Sequence, residues 1–246
     1  MVSSTDIELL TRPAVVIGGN SGIGLAVVQA MVGRADAITV FDLAAEPSAE
    51  LAALDSVNYR QADITDPSLL RNAFAATFES GPIGSVFVSA GITLPRTIVT
   101  VTDEEAHRCL MVNLMGSINV LKAALGFLAP DASIVLTASA AAYTGGGYVG
   151  GSIYGASKAG VIGLTRGAAS ELAAQGIRVN CVAPGATATP MVGSDTDRVE
   201  RLASKSLLGR LATPAEIASG VVFLWSSAAS YMTGATLDIN GGSHLG

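Results

Sequence analysis

Cysteine is scarce in this sequence, as are charged and aromatic residues. Its two cysteines, Cys109 and Cys181, are too few for a disulfide framework and lack the spacing of metal ligands. We therefore interpret both as reduced residues of an apolar core and expect no metal site. The first residues contain no basic region followed by an apolar run, so the sequence predicts no signal peptide. A cytoplasmic protein is the expectation that follows.

Charged residues make up only 14% of the 246 residues, and the formal net charge is −6. A chain of this charge is poorly suited to bind nucleic acid or an anionic membrane surface. Two uncharged stretches, residues 13–33 and 132–157, are long enough to raise the question of a membrane span. Gly, Ser and Asn interrupt both in turn-like clusters, so we interpret them as buried strand–loop–helix units.

Apolar residues and glycine are plentiful, since half of the residues are hydrophobic and 28 are glycine. Short β-branched runs alternate with longer helical patterns. The predicted strands are residues 14–17, 37–41, 57–61, 85–89, 133–137, 177–182 and 236–239. The predicted helices include residues 22–32, 67–78, 104–128, 154–174 and 214–226. This alternation indicates an α/β protein with a doubly wound parallel sheet. No repeat or linker divides the chain, so we expect one domain over residues 1–246.

A glycine-rich turn connects the first predicted strand to the first predicted helix. Its glycines allow the backbone to approach a pyrophosphate, which the positive end of the helix stabilises. The spacing is G-x-x-x-G-x-G and not the usual G-x-G-x-x-G. The position at the first strand–helix junction is therefore what indicates a dinucleotide site. The turn residues assigned to cofactor binding are Gly18, Asn20, Ser21, Gly22, Ile23 and Gly24.

Asp42 follows the second predicted strand, eighteen residues beyond Gly24. A carboxylate there accepts hydrogen bonds from an adenosine ribose and repels a 2′-phosphate, although an Asp that only opens a loop is the alternative. No Arg or Lys lies in the turn or beside Asp42, so NAD is favoured over NADP. Asp63 and Ile64 follow the third strand. They either border the adenine pocket or belong to a helix cap before Pro67.

Tyr154 and Lys158 are four residues apart and share one face of a predicted helix. A phenol has an ordinary pKa of about 10, and a nearby cation favours the phenolate and lowers that pKa. The pair is therefore either a proton-transfer pair or two surface neighbours. Spacing alone leaves both interpretations open.

Taken together, these residues resemble the short-chain dehydrogenase/reductase family in its compact form. The resemblance extends from Gly18 to Gly242 and implies a Rossmann-type, seven-stranded parallel sheet of order 3-2-1-4-5-6-7 flanked by helices. The motifs that carry it are the glycine turn, Ala90-Gly91, Asn113, Ser139, Tyr154-x-x-x-Lys158 and Pro184-Gly185.

The resemblance also implies a catalytic role for four residues. Tyr154 is the expected general acid/base, and Lys158 is expected to lower its pKa and to bind the nicotinamide ribose. Ser139 is expected to hydrogen-bond the substrate oxygen. Asn113 is expected to position a water that links Lys158 to solvent. The implied cofactor ligands beyond the turn and the acidic residues are Ala90, Gly91, Tyr154, Lys158, Pro184, Gly185, Thr187 and Thr189, of which Thr189 matches the carboxamide ligand.

Three features depart from the family pattern. Ile17 stands where the family usually has Thr, and Val88-Ser89 stands where it has Asn-Asn, so we infer an apolar contact between Ile17 and Val88. Fifteen residues separate Ser139 from Tyr154, slightly more than usual. The added length forms a Gly-rich loop over residues 143–151, which either shapes substrate choice or is a tolerated insertion.

The substrate is expected to be a small, mostly apolar alcohol or ketone, with alicyclic compounds among the candidates. The positions expected to border its pocket, none of them charged, are Ile92, Thr93, Ala141, Tyr143, Tyr148, Val149, Met191 and Val192. A short lid is predicted at about residues 186–210, with its charged residues on a solvated helix face. His244 is expected either to reach a neighbouring subunit or to lie in a frayed terminus.

An NAD-dependent alcohol dehydrogenase or ketone reductase is the leading hypothesis. One alternative is a 3-oxoacyl thioester reductase using NADPH, which Asp42 opposes. Another is a catalytically silent, nucleotide-sensing protein, whose signature would be loss of Tyr154 or Lys158. The family's helix packing implies a homotetramer first and a dimer second.

Overall fold

The computed structural model describes residues 12–146 and 150–245, and seven of its strands form one parallel sheet. The strands are β1 (Ala14–Ile17), β2 (Ile38–Asp42), β3 (Val57–Gln61), β4 (Ile83–Val88), β5 (Leu128–Thr137), β6 (Arg178–Pro184) and β7 (Thr236–Ile239). Their order across the sheet is β3-β2-β1-β4-β5-β6-β7, and every neighbouring pair is parallel. The predicted fold class and strand order are confirmed.

Helices cover both faces of the sheet. They are α1 (Gly22–Met31), α2 (Ala49–Ala52), α3 (Pro67–Phe78), α4 (Asp103–Leu110), α5 (Gly116–Ala124), α6 (Ala141–Thr144), α7 (Gly151–Leu172), α8 (Thr196–Ala203) and α9 (Pro214–Trp225). Along β1, Val15 and Ile17 join a buried cluster with α3, α5 and α7. Val16 joins a second cluster with α1 and α9, because successive strand side chains point to opposite faces.

The bounds of β1, β3, β7 and α3 agree with their predictions, whereas the predicted helix over residues 104–128 is interrupted. A π-helical turn, Met111–Met115, separates α4 from α5, and the N–H of Gly116 bonds to the carbonyl of Met111. Residue 128 already belongs to β5. Such a turn inserts one residue into the helical repeat, and hydrophobic periodicity gives no signal for it.

Helix starts follow from local chemistry. The Asp66 side chain accepts hydrogen bonds from the N–H groups of Ser68 and Leu69, and Pro67 begins α3. At α9, Thr213 and Glu216 form a capping box. This cap fixes Glu216 close to the carboxyl ends of the strands, where the cavity described below lies.

Two expectations about the core are also met. Ile17 and Val88 are register partners on β1 and β4, both nearly inaccessible, so the predicted apolar contact is present. Cys109 and Cys181 are buried free thiols. Within the described parts of the chain, no helix combines the length and the apolarity that crossing a bilayer requires.

Candidate active site

A cavity of about 300 Å³ opens at the carboxyl ends of the central strands. Parallel α/β sheets bind their ligands at this edge. The predicted site residues that border it are Gly18, Ser21, Gly22, Ile23, Ala90, Gly91, Ser139, Tyr154, Lys158, Pro184, Gly185, Thr187 and Thr189. The structure thus brings together residues that are up to 171 positions apart in the sequence. The predicted residues outside its wall are Asn20, Gly24, Asp42, Asp63, Ile64 and Asn113.

The glycine turn is packed so closely against its neighbours that side chains would not fit at its glycines. Gly18 has a φ of +77°, and a Cβ there would lie 2.6 Å from the backbone nitrogen of Ala90. A Cβ on Gly24 would overlap the carbonyl of Gly18, and one on Gly22 would lie 3.2 Å from the Thr189 methyl group. The turn therefore depends on glycine for close approach of backbone to backbone.

Asp42 ties this turn to the chain that follows β2. Its Oδ2 accepts the backbone N–H of Asn20 at 3.1 Å, and its Oδ1 accepts the N–H of Ala44 at 3.2 Å. The Asn20 side chain accepts the N–H of Ser48 at 2.6 Å and donates to the carbonyl of Glu46 at 3.2 Å. Asn20 thus acts as a brace through its side chain.

Asp63 and Ile64 support the turn after β3. Asp63 Oδ1 accepts both the N–H and the hydroxyl of Thr65, at 2.8 and 2.7 Å. Ile64 is buried against Gly116, and its carbonyl accepts a hydrogen bond from the Asn119 amide at 3.2 Å. The residue that caps α3 is Asp66, three residues beyond Asp63.

Ser139, Tyr154 and Lys158 meet at the centre of the cavity. Ser139 follows β5, and Tyr154 and Lys158 lie on successive turns of α7. Lys158 is 4% exposed; its Nζ donates to the carbonyl of Thr137 at 2.8 Å and lies 5.9 Å from the centroid of the Tyr154 ring. The cation therefore lies over the Tyr154 ring, and the Tyr154 hydroxyl hydrogen-bonds with Ser139.

Burial dominates the acid–base chemistry of this group. It raises the pKa of Tyr154 above the ordinary value, and hydrogen bonding with Ser139 opposes that rise. Burial also lowers the pKa of Lys158 to about 8. The lowering of the Tyr154 pKa expected of Lys158 stays a prediction. Burial, which spacing cannot reveal, is the largest influence on both groups.

Asn113 lies in the π-helical turn and is 1% exposed. Its Oδ1 accepts the N–H of Ile92 at 2.8 Å, and its Nδ2 donates to the carbonyl of Ile92 and to Ser157 Oγ, both at 3.0 Å. Ser157 Oγ in turn donates to the carbonyl of Tyr154 at 2.7 Å. Asn113 therefore joins the end of β4 to the catalytic helix. The water relay expected of it stays a prediction.

The Gly-rich loop contains turns that need glycine. Gly145, Gly146 and Gly151 all have positive φ, and a Cβ on Gly151 would overlap the carbonyl of Arg96. Tyr148 and Val149, two of the expected pocket residues, lie outside the described residues. Whether the loop selects the substrate stays a prediction.

Of the eight wall positions that we predicted, Ile92, Ala141, Met191 and Val192 border the cavity. The predicted lid contributes further wall residues, among them Lys205, Ser206, Leu208 and Arg210. Wall residues that sequence reasoning did not place there include Glu216, Asn240, Gly241 and Ser243. Charged side chains thus border the cavity beside the uncharged positions that we predicted.

Arg210 and Glu216 form a two-pronged ion pair, with N–O distances of 2.6 and 2.8 Å. Hydrogen bonding to Arg210, followed by the backbone of Thr213, lowers the pKa of Glu216 to about 2. The pair therefore contributes little net charge to the wall. The capping-box pattern Thr213-x-x-Glu216 is the sequence signal that predicts the start of a helix at this part of the wall.

The end of the chain also differs from expectation. The His244 ring stacks on the ring of Tyr143 in the same chain, with centroids 4.3 Å apart and an angle of 11° between planes. The interpretation of His244 as part of a frayed terminus is therefore wrong. The ring contact could not be read from the sequence, since 101 positions separate the two residues.

Comparisons with known proteins agree with this architecture. A family model described as enoyl-(acyl carrier protein) reductase matches residues 17–244. The chain is 36% identical over 238 residues to the cis-4-hydroxycyclohexanecarboxylate dehydrogenase of Sinomonas cyclohexanicum, covering 94% of this chain and 96% of the relative. It is 31% identical over 241 residues to the 3-oxoacyl-(acyl-carrier-protein) reductase of Mycobacterium tuberculosis, covering 96% and 94%. A solved structure from Brucella melitensis, described as a short-chain dehydrogenase/reductase of the glucose/ribitol dehydrogenase type, superposes with a TM-score of 0.90 at 35% identity, covering 97% and 99%.

Proposed function

Because the chain belongs to the short-chain dehydrogenase/reductase family, we propose that it is an NAD(H)-dependent oxidoreductase that interconverts a secondary alcohol and a ketone. The observation that carries the proposal is the meeting of Ser139, Tyr154 and Lys158 in one cavity with the glycine turn. A silent nucleotide-binding protein has no need of that group.

In the direction of oxidation, Tyr154 as phenolate takes the proton of the substrate hydroxyl, and Ser139 holds the same oxygen by a hydrogen bond. Burial disfavours the phenolate, so an adjacent positive charge is needed to form it. Lys158 supplies that charge below its pKa of about 8. Asn113 and Ser157 keep the turn of α7 that carries Tyr154 in place.

The residues around the cavity fit a nicotinamide dinucleotide. Gly18, Ser21, Gly22 and Ile23 line the cavity where the first strand turns into α1, the position at which a pyrophosphate binds a helix N-terminus. Gly91 leaves room for the side chains of Lys158 and Asn113. A Cβ there would lie 3.3 Å from Lys158 Nζ and 3.1 Å from Asn113 Oδ1. Pro184, Gly185, Thr187 and Thr189 would hold the nicotinamide end. When bound, the dinucleotide supplies hydride transfer.

Preference for NAD over NADP is supported by Asp42. The segment that it anchors, residues 43–48, carries Glu46 and no basic side chain. Both carboxylates contribute, after burial, to raising the pKa of Tyr59, whose hydroxyl donates to the carbonyl of Ala44. A 2′-phosphate at this place would face two negative charges without a cationic partner from the segment.

The proposed substrate is a compact, ring-sized secondary alcohol or its ketone. The cavity of about 300 Å³ has to hold the nicotinamide end of the cofactor beside the substrate, which favours a compact substrate. The relative from Sinomonas cyclohexanicum is named for a hydroxylated cyclohexane carboxylate, a compact ring compound.

A second candidate, reduction of 3-oxoacyl thioesters with NADPH, is favoured by the name of the mycobacterial relative and by the description of the matching family model. Asp42 opposes it. This candidate and the leading one predict opposite cofactor preferences, so a single assay separates them.

The test is an NADH-absorbance assay with NAD and NADP in parallel. The compounds are cyclohexanol, cis-4-hydroxycyclohexanecarboxylate and a 3-hydroxyacyl thioester. We expect turnover of a cyclic alcohol, with kcat/KM for NAD at least tenfold above that for NADP. Tyr154→Phe is expected to lower the rate by about 10²–10⁴-fold, the usual contribution of a general acid or base.

Preference for NADP together with thioester turnover would replace the leading proposal by the second. Tight binding of NADH without turnover of any compound would favour the silent sensor. A Tyr154→Phe variant that keeps most of the activity would remove Tyr154 from the mechanism.

We further propose that the chain folds as one domain, with residues 186–210 as a lid, and that it acts in the cytoplasm as a homotetramer. Met191, Val192 and Leu202 of the lid border the cavity. Leu110, Met115 and Leu125 leave apolar surface exposed along α4 and α5, which supports burial against a second subunit.

A further inference from the structure

The C-terminal segment, residues 240–244, forms one wall of the cavity through Asn240, Gly241 and Ser243. Asn240 folds this segment on itself. Its Oδ1 accepts the N–H of Gly242 at 2.9 Å, and its Nδ2 donates to the carbonyl of His244 at 3.3 Å. The segment therefore holds a defined turn and does not run freely across the opening.

One side of the C-terminal segment is bonded to the lid. The carbonyl of Gly241 accepts the hydroxyl of Ser206 at 2.9 Å and the N–H of Leu208 at 3.2 Å. A Cβ on Gly242 would approach the Leu207 side chain to within 2.7 Å, so this side chain of the lid packs directly against the Gly242 backbone. A shift of the segment would therefore move the lid with it.

The other side of the C-terminal segment is held by the Tyr143–His244 stack. Tyr143 belongs to α6, whose Ala141 and Thr144 border the cavity next to Ser139. The Tyr143 hydroxyl faces β7: burial raises its pKa, Asp238 raises it further, and a hydrogen bond with Thr236 lowers it. In the described part of the chain, both stacked rings lie behind the wall and not on it.

We propose that the Tyr143–His244 stack determines substrate specificity by setting the width of the cavity between α6 and the lid. The stack connects α6 to residues 240–244, and hydrogen bonds from Ser206 and Leu208 to Gly241 connect those residues to the lid. While it holds, the wall admits a ring-sized alcohol and excludes a larger one. Without it, the segment moves outward together with the part of the lid at residues 206–208, while residues 186–188 stay paired with Ala212.

The stack is a positioning pair and touches none of the reacting groups. Ser139, Tyr154 and Lys158 are held by β5, α7 and the Thr137 carbonyl, and the glycine turn is held by Ala90 and Asp42. Loss of the stack is therefore expected to change which alcohol is accepted while NADH binding stays the same. The proposal rests on the alcohol dehydrogenase activity proposed above.

The test compares kcat/KM for cyclohexanol and for 4-tert-butylcyclohexanol in His244→Ala and Tyr143→Leu. We expect the ratio of bulky to compact substrate to rise about threefold to tenfold, the range that loss of one aromatic pair allows. Tyr143→Phe and His244→Phe keep two stacked rings and should retain the wild-type ratio. Leu245→Ala changes the exposed residue directly after the C-terminal segment and is the matched control.

Two further measurements separate specificity from general damage. The Kd for NADH, measured by its fluorescence, should stay within about twofold of wild type. Hydrogen exchange of the peptide containing Leu208 should accelerate in His244→Ala, because its N–H bonds to Gly241. That exchange readout needs no substrate.

An unchanged substrate ratio, or an equal loss for both alcohols with a lower Tm, would overturn the proposal and leave the dehydrogenase activity standing. Unchanged exchange at Leu208 would also overturn it. Failure of the wild-type chain to oxidise any alcohol would overturn the activity and the specificity role together.

Discussion

At the residue scale, Lys158 is a cation held almost entirely out of water. Its ammonium group has the Thr137 carbonyl and the face of Tyr154 as neighbours. These neighbours do not offset the loss of hydration, so burial lowers the pKa of Lys158 from 10.5 to about 8. The residue that the chemistry needs is therefore one that weakens the fold at neutral pH.

This shift predicts a specific pH dependence of stability. Below pH 8 both the folded and the unfolded chain hold the Lys158 proton, so the folded state carries the full free-energy cost of burying a charged ammonium group. Between pH 8 and 10.5 the unfolded chain holds more of that proton, so stability rises with pH. Relative to Lys158→Met, the wild type should gain up to about 3 kcal/mol of unfolding free energy across this window.

Urea denaturation of both proteins at pH 7, 9 and 10.5 measures the effect. Lys122→Met, which removes an exposed lysine from α5, is the control and should follow the wild-type curve. Parallel curves for wild type and Lys158→Met would show that Lys158 is not desolvated in this way.

At the element scale, the start of α7 is set by backbone contacts that precede Tyr154 by three residues. Gly151 has a φ of +67°, and its Cα approaches the carbonyls of Arg96 and Leu94 so closely that a Cβ has no room. The N–H of Gly151 also bonds to the carbonyl of Gly146. The loop after β4 and the Gly-rich loop therefore locate the catalytic turn together.

Gly151→Ala is expected to displace that turn. The strained φ and the overlap with Arg96 should destabilise the protein by more than about 1 kcal/mol. A shift of Tyr154 by a fraction of an ångström should lower kcat by about tenfold or more. Thermal unfolding and steady-state kinetics measure the two effects.

Gly126→Ala is the matched control, because an added Cβ there meets no described atom within 4 Å and its φ is ordinary. Equal behaviour of the two variants would show that the geometry at Gly151 is not what holds α7.

At the scale of the whole molecule, Leu110 of α4, Met115 of the π-helical turn and Leu125 after α5 leave apolar surface exposed. We propose that it lies between subunits. Light scattering should give a mass four times the 24.7 kDa of one chain. Leu110→Glu combined with Met115→Glu should reduce that mass, because charges would face each other across a two-fold axis.

Leu69→Glu places the same charge on exposed apolar surface of α3 and should leave the mass unchanged. A wild-type chain that is monomeric at micromolar concentration would contradict the proposed assembly.

Local patterns predicted much of this molecule. Seven strands, their order and the positions of Ser139, Tyr154 and Lys158 could be predicted because each depends on a few adjacent residues or on a motif of the family. The part of the wall made by Glu216, Asn240 and Ser243 could not, since it exists only when the segments that follow β6 and β7 are packed together.

The two pKa shifts could not be predicted for the same reason. Burial is the largest cause of the raised pKa of Tyr154 and of the lowered pKa of Lys158. Burial is a property of the whole fold, and four-residue spacing carries no information about it.

The residues of the cavity wall are synthesised at widely separated times during translation. Gly18 leaves the ribosome 225 residues before Ser243, an interval of roughly 11–45 s at the usual rate of synthesis. The catalytic helix α7 is complete 71 residues before Ser243, and one side of the pocket is still missing at that point. The residues proposed to bind the cofactor, the last of which is Thr189, are thus all synthesised before the C-terminal segment that we propose selects among alcohols.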